Sequence, residues 1–212
     1  MEHLPGIRMT RKAAGTASLA ELAGTSRKER LSSTSYYLGV DPSITNTGIA
    51  ILDNNAKLVG AVDGRTFVGK EKGFARYRVQ VSGLVDFVLN KIGNARCVCG
   101  YEGYSYGSAH RAYDLAEYGG ILKNALSDIA SIIYIVPPTT NKAFATGNGQ
   151  ASKDLVRKYA HDEGLGDTCS SDICDAYFLA MFAAFADGCK KCVNRSMLRK
   201  RMALAKNYRE VL

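Results

Sequence analysis

What most constrains this chain is a change of hydrophobic period about a third of the way along it. Tyr36-Tyr37-Leu38-Gly39-Val40 and Gly48-Ile49-Ala50-Ile51-Leu52 are short β-like runs. Between them, Asp41-Pro42-Ser43-Ile44-Thr45-Asn46-Thr47 is polar and turn-forming. Asp53-Asn54-Asn55 makes a second turn before Lys57–Val62, so the first third of the domain predicts three antiparallel strands. From Phe74 to Ile92 the spacing becomes helical, with Val81, Leu84, Val85, Val88 and Leu89 recurring on one side. Arg96–Tyr101 then reads as a buried strand and Ala109–Ile129 as a second helix. Ser131–Val136 reads as a strand stopped by Pro137-Pro138. Gly147-Asn148-Gly149 is a loop and Ser152–His161 a short helix. Ser170-Ser171-Asp172 opens a last helix whose body, Ala176–Ala186, is almost wholly apolar. Three strands followed by alternating helix and strand predict a mixed α/β sheet flanked by helices.

The 212 residues suffice for one such domain with extensions at both ends. Residues 1–34, rich in Ala, Gly, Ser and Thr, predict a basic arm with a short helix near Ala17–Ala23. Residues 35–188 form the domain, and 189–212 a basic tail of helical spacing. No run approaches the roughly 18 apolar residues of a membrane span. The N-terminus lacks a secretory apolar block, and Glu2, Glu21 and Glu29 fit poorly with a transit peptide. An intracellular location is expected: cytoplasm, host cytoplasm if the gene is a phage's, with an organelle left open. Six cysteines show no disulfide-framework spacing. Cys189-Lys190-Lys191-Cys192 has a metal-type interval but lacks a good second pair, so thiols are expected and metal binding by Cys189 and Cys192 stays open.

The net charge of +8 is unevenly placed. Residues 189–212 carry eight Lys/Arg against Glu210 alone, and residues 1–34 carry six against three Glu, which leaves 35–188 slightly acidic. A near-neutral domain with a cationic tail suits a polyanionic partner, since phosphate contacts give sequence-independent affinity. A solvated tail that aids solubility is the alternative.

Four carboxylates fall at informative places. Asp41 ends the first strand, Glu102 follows the apolar strand Cys97-Val98-Cys99-Gly100-Tyr101, and Asp172 and Asp175 share one face of the last helix. If the first and fourth strands are neighbours, Asp41 and Glu102 meet at their ends and the helix can bring the other two. Acids so crowded call for cations. Mg2+ suits carboxylates, water and phosphate together, and Mn2+ is expected to substitute. Two ions about 4 Å apart would activate a water and stabilise the leaving oxygen of a phosphodiester. Each acid also has an ordinary structural reading. Asp172 suits a helix N-cap, Asp175 the positive end of the helix dipole, Asp41 a turn before Pro42, and Glu102 a solvated strand end. Their joint placement favours the metal reading.

At this point the sequence resembles a known family. Leu38-Gly39-Val40-Asp41-Pro42-Ser43-Ile44-Thr45-Asn46-Thr47-Gly48 is similar to the opening strand and turn of the RuvC family of Holliday junction resolvases, with Ser43 where the family has Gly. Tyr101-Glu102 resembles its second acidic site, and the run from Lys142 through Gly147-Asn148-Gly149-Gln150-Ala151 to Lys153 its Lys, Gly-x-Gly-x-Ala, Lys segment. Asp172-Ile173-Cys174-Asp175-Ala176 resembles its closing Asp-x-x-Asp-Ala helix. All four occur in the family's order across residues 36–187. The resemblance implies a ribonuclease H-like five-stranded sheet, three strands antiparallel and then two parallel. It further implies a metal-dependent endonuclease cleaving four-way or other branched DNA, with no small-molecule cofactor.

The resemblance also places Lys142 and Lys153 near the scissile phosphate, where a cation offsets developing charge. Lys153, Arg157 and Lys158 lie on one side of a short helix that suits backbone contacts, or is simply a solvated basic face. Tyr104 and Tyr106 are equal candidates to stack on bases at the crossover, and packing on the domain surface explains them equally well. A junction with two strands to cut and one acidic cluster per chain predicts a twofold homodimer. Its interface would be Ala109–Ile129, through Tyr113, Ala116, Leu122 and Leu126, unless these are buried within one chain. In the tail, Arg195, Arg199, Lys200 and Arg201 are spaced to line a helix that grips DNA arms.

Three other functions compete, of which a non-catalytic nucleic-acid-binding module is disfavoured by the complete set Asp41, Glu102, Asp172 and Asp175. A ribonuclease H acting on RNA–DNA hybrids would share fold and metals. An ATPase of the actin and sugar-kinase type would share the Asp41–Gly48 hairpin, but it needs a duplicated domain with a second phosphate hairpin, and none follows Pro137.

Overall fold

In a computed structural model of the chain, residues 35–104, 112–189 and 198–206 are described. The N-terminal arm, Tyr106, Arg195 and Cys192 lie outside them, as does the side chain of Arg199. Strands β1 (Ser35–Asp41), β2 (Gly48–Leu52) and β3 (Leu58–Asp63) form the predicted antiparallel meander, closed by a 3-10 turn at Gly64–Phe67. Helix α1 (Gly73–Ile92) leads to β4 (Arg96–Glu102), and α2 (Ala112–Ser127) to β5 (Ile132–Val136). Both crossovers are parallel, giving the sheet order β3-β2-β1-β4-β5.

Beyond β5 the sequence reading needs a correction. Pro137-Pro138 ends the strand but also starts a helix, α3 (Pro138–Thr146). Proline at the first helical position lacks only an N–H that would be unpaired anyway. Gly147, at φ 83°, closes α3 in the left-handed conformation that glycine adopts without strain. Helices α4 (Lys153–Asp162), α5 (Ser171–Ala186) and α6 (Leu198–Lys206) follow.

Helix α5 packs on the sheet closer than side chains would allow. A Cβ built at Gly39 would lie 1.7 Å from the carbonyl oxygen of Ala176, one at Gly48 2.2 Å from that of Asp172, and one at Gly100 2.2 Å from that of Leu179. Three glycines on adjacent strands therefore let the helix backbone rest directly on the strand backbones. Every residue from Ile173 to Ala184 is buried, because α3, α4 and α6 cover the outer side of α5. The opposite sheet face packs Leu38, Val40, Ile49 and Ile51 against α1 and α2.

Two expectations change here. Leu122 and Leu126 are fully buried under α2 within this chain, together with Tyr118, so only Tyr113 and Ala116 of the proposed dimer stripe face outward. Arg201 does not line a DNA-gripping face, because it is completely buried. Its guanidinium pairs with Glu163, donates to the carbonyls of Phe144 (2.9 Å) and Ala145 (3.2 Å), and stacks against Phe144 and Phe178. The tail helix is thus part of the domain, pinned to the carbonyl end of α3. Charge spacing suggested otherwise because it cannot distinguish an arginine that faces water from one that caps a neighbouring helix. Among the described residues no disulfide is present, and no helix is long and apolar enough to cross a membrane.

Candidate active site

The parallel pairing of β1 with β4 sets Val40 opposite Tyr101, so Asp41 and Glu102 emerge side by side where the two strands end. Gly48 and Gly39 then fix where α5 begins over those ends. Asp172 lies above the start of β2, and Asp175, one turn further, beside Asp41 and Glu102. Asp172 is not the cap of α5. The Ser170 hydroxyl accepts from the Ile173 N–H (3.2 Å) and fills that role. Asp172 is therefore left with its carboxylate oxygens for other partners.

Crowding and burial act together on these acids. Desolvation, then the charges of Glu102 and Asp175, push Asp41 well above the usual carboxylate range. Asp41 is only 8% exposed, and its hydrogen bond with Glu102 acts in the same upward direction. Glu102 is also raised by burial, although that bond, Lys153, Lys142 and Asn141 pull the other way. Asp175 is pushed up to about 7, first by burial and then by Glu102, with Lys153 and Lys142 again opposing. Both lysines thus stand beside the acids, and Lys153 Nζ lies 3.8 Å from Asp172 Oδ1.

Oxygen donors of this kind fit a hard divalent cation, which would relieve the repulsion that otherwise drives protonation. A further acceptor is at hand: Oδ1 of Asn141, on α3, is buried without a hydrogen-bond partner, while its Nδ2 donates to the Asp175 carbonyl (3.1 Å). As the side chains stand, no three His, Cys, Asp or Glu among the described residues form a ready ligand set.

Several site residues escaped the sequence reading. Asn46 donates from Nδ2 to Asp172 Oδ2 (2.7 Å) and to Asp63 Oδ1 (2.9 Å), and Asp63 also accepts from the Ser170 hydroxyl (2.7 Å). Asn141 sits one residue before a lysine that was singled out. An asparagine in a turn motif and an acid at the end of β3 carry no signal of their own. Only the packing of α5 against the meander makes them neighbours of Asp172.

Among the other candidates, Lys158 is exposed and Arg157 half-buried on α4, and Lys200 is exposed on α6. Tyr104 leans on α2. Its hydroxyl reaches the Ala116 carbonyl at 3.5 Å, and the Lys123 ammonium lies 4.9 Å from its ring centroid.

No family model and no curated protein matches the sequence. Among solved structures the chain is similar to Thermus thermophilus RuvC, at 18% identity and a TM-score of 0.56, covering 84% of this chain and 99% of that one. It is likewise similar to T. thermophilus RuvC in complex with Holliday junction substrate, at 17% identity and a TM-score of 0.59, with the same coverage. The fold is the ribonuclease H-like α/β fold of RuvC, with the sheet expected from the sequence.

Proposed function

We propose that this chain is a structure-selective endonuclease that hydrolyses phosphodiesters in four-way or other branched DNA. The reading rests above all on one observation: four acids from β1, β4 and α5 lie near one another at one end of the sheet, with two lysines beside them. In this reading Asp41, Glu102, Asp172 and Asp175 hold Mg2+, with Mn2+ expected to substitute. Two such ions would supply water activation and leaving-oxygen stabilisation.

The chain's own residues have separate tasks. Lys142 and Lys153 offset charge on the phosphate, and burial of the acids excludes bulk water, which strengthens every such interaction. Lys158 and Lys200 are exposed and suit the DNA backbone. Tyr104, held against α2, and Tyr106 are the candidates for stacking at the crossover.

The two equivalent strands of a junction support a twofold homodimer. With Leu122 and Leu126 used internally, its surface would involve Tyr113, Ala116 and the open groove of about 670 Å³ between α1 and α2, lined by Val79, Val85 and Ile121. An intracellular location beside DNA goes with this activity.

Labelled four-way, flap, plain duplex and RNA–DNA hybrid substrates, each incubated with Mg2+, test the proposal. Cutting of branched DNA in preference to the others is expected. Cutting of the hybrid alone would assign a ribonuclease H instead, and no cutting of any substrate overturns the nuclease reading.

A further inference from the structure

The turn that follows Asp41 is held far more tightly than a surface turn requires. Arg76 of α1 donates to the carbonyls of Ile44 (3.3 Å) and Thr45 (3.0 Å). The Gln80 amide, oriented to satisfy its neighbours, bonds the Ile44 carbonyl and the Thr47 N–H, each at 3.2 Å. The Thr47 hydroxyl donates to the Ser43 carbonyl (2.9 Å). With its single proton so used, it must accept from the Tyr118 hydroxyl 2.6 Å away. The backbone of 43–47 is therefore fixed from α1 and α2 without help from the side chain of Asn46.

That side chain is aimed across the site. Its Oδ1 faces the Arg65 N–H (3.4 Å), which sets the amide orientation, and both Nδ2 protons go to carboxylates, one on Asp172 and one on Asp63. Asp63 is in turn fixed by the Ser170 hydroxyl, from the residue that caps α5. We infer that Asn46, anchored by Asp63, is a positioning residue for Asp172. A neutral amide joins two carboxylates without adding charge, so it holds Asp172 in one rotamer through Oδ2 and keeps Oδ1, now met by the Ser171 hydroxyl (3.3 Å) and the Lys153 ammonium (3.8 Å), on the side a cation would take. A lysine at this position would also bridge them, but it would cancel the charge the cation needs. This inference rests on the nuclease reading above, in which Asp172 is a metal ligand.

The test uses the full chain and three readouts: Mn2+ binding without DNA, followed by the electron paramagnetic resonance of free Mn2+; kcat and KM on a four-way junction; and thermal melting. Partners that orient metal ligands are typically worth about 10–100-fold in metal affinity or activity. Asn46→Ala is expected to weaken Mn2+ binding and lower kcat within that range, with KM changed less than about threefold and little loss of melting temperature. Asn46→Asp keeps the shape but turns a donor toward two carboxylates into a third acceptor, and is expected to be at least as damaging. It also serves if the alanine variant folds poorly. Asp63→Ala, which does not touch Asp172, is expected to move the same readouts less. Unchanged Mn2+ affinity and kcat in folded Asn46 variants, or a loss confined to melting temperature, overturns the inference while leaving the nuclease intact. A wild-type chain that neither binds Mn2+ nor cuts branched DNA overturns both.

Discussion

Replacing Gly39 by alanine tests whether the close seat of α5 on the sheet builds the site. The new Cβ would lie 1.7 Å from the Ala176 carbonyl oxygen and 2.5 Å from the Ala180 nitrogen. Non-bonded heavy atoms settle near 3.5 Å, so α5 must retreat by roughly 1.8 Å at this point. The obstacles are backbone atoms of a helix buried on all sides, and no rotamer change relieves them. Overpacking of a dense core is worth about 1–3 kcal/mol, and the rigid contact argues for the upper end. For a domain of this size that is a drop of roughly 6–12 °C in melting temperature. Asp175 adjoins Ala176, so the same shift carries it away from Asp41 and Glu102. A misplacement of about 1 Å can lower turnover about 10²-fold. Melting and single-turnover junction cleavage measure the two effects. Gly120→Ala is the control: it is exposed on the outer side of α2 with nothing within 4 Å, and should gain up to about 1 kcal/mol. A Gly39→Ala protein that melts and cuts like wild type would show that the close contact positions nothing.

Other outcomes follow from the same geometry. Asp41→Asn and Asp175→Asn should each abolish cleavage while junction binding persists in a gel-shift assay, and Ca2+ should support binding without turnover because its looser shell places water poorly. Near-normal cutting by either variant removes that acid from the chemistry. Because Asp175 is raised to about 7 in the folded chain from 3.8, its protonated form favours folding. Metal-free protein should therefore be most stable below about pH 4 with respect to this group and lose that contribution as pH rises through 7. Melting in chelator between pH 5 and 8 should fall less for Asp175→Asn than for wild type, and added Mg2+ should narrow the wild-type difference. Arg201→Ala leaves the Glu163 carboxylate, whose side chain is 9% exposed, without its partner, which should lower stability by up to about 3 kcal/mol in a urea titration while the salt dependence of DNA binding stays as it was. Lys200→Ala, on the exposed side of the same helix, should instead leave stability alone and reduce the slope of log affinity against log salt by up to about 0.9.

Much of this was legible in the sequence. Alternating and then helical periodicity gave the five strands and every helix of the domain except α3 (Pro138–Thr146), because the pattern of burial is written directly into residue type. The positions of Asp41, Glu102, Asp172 and Asp175 at element ends were visible for the same reason. Their meeting was only conditional, since it required β1 and β4 to be neighbours. The parallel register Val40↔Tyr101 decides that, and register depends on pairs far apart in the chain.

Side-chain direction was least legible. Arg201 and Lys200 are adjacent and equally basic, yet one is wholly buried against α3 carbonyls and the other faces water. Leu122 and Leu126 fit an interface or a core equally well by spacing, and packing against the sheet chose the core. Asn46 and Asp63 gave no sign that they act together, because 17 residues and a β-hairpin separate them in sequence. By itself, then, the sequence determined the element types, the acids and the charge of the chain, all properties of single residues and their local period. The strand order, the contact of α5 with Gly39, Gly48 and Gly100, and the partners of each polar side chain were decided only by the tertiary structure, since these are relations between distant residues that exist only once the backbone has been packed.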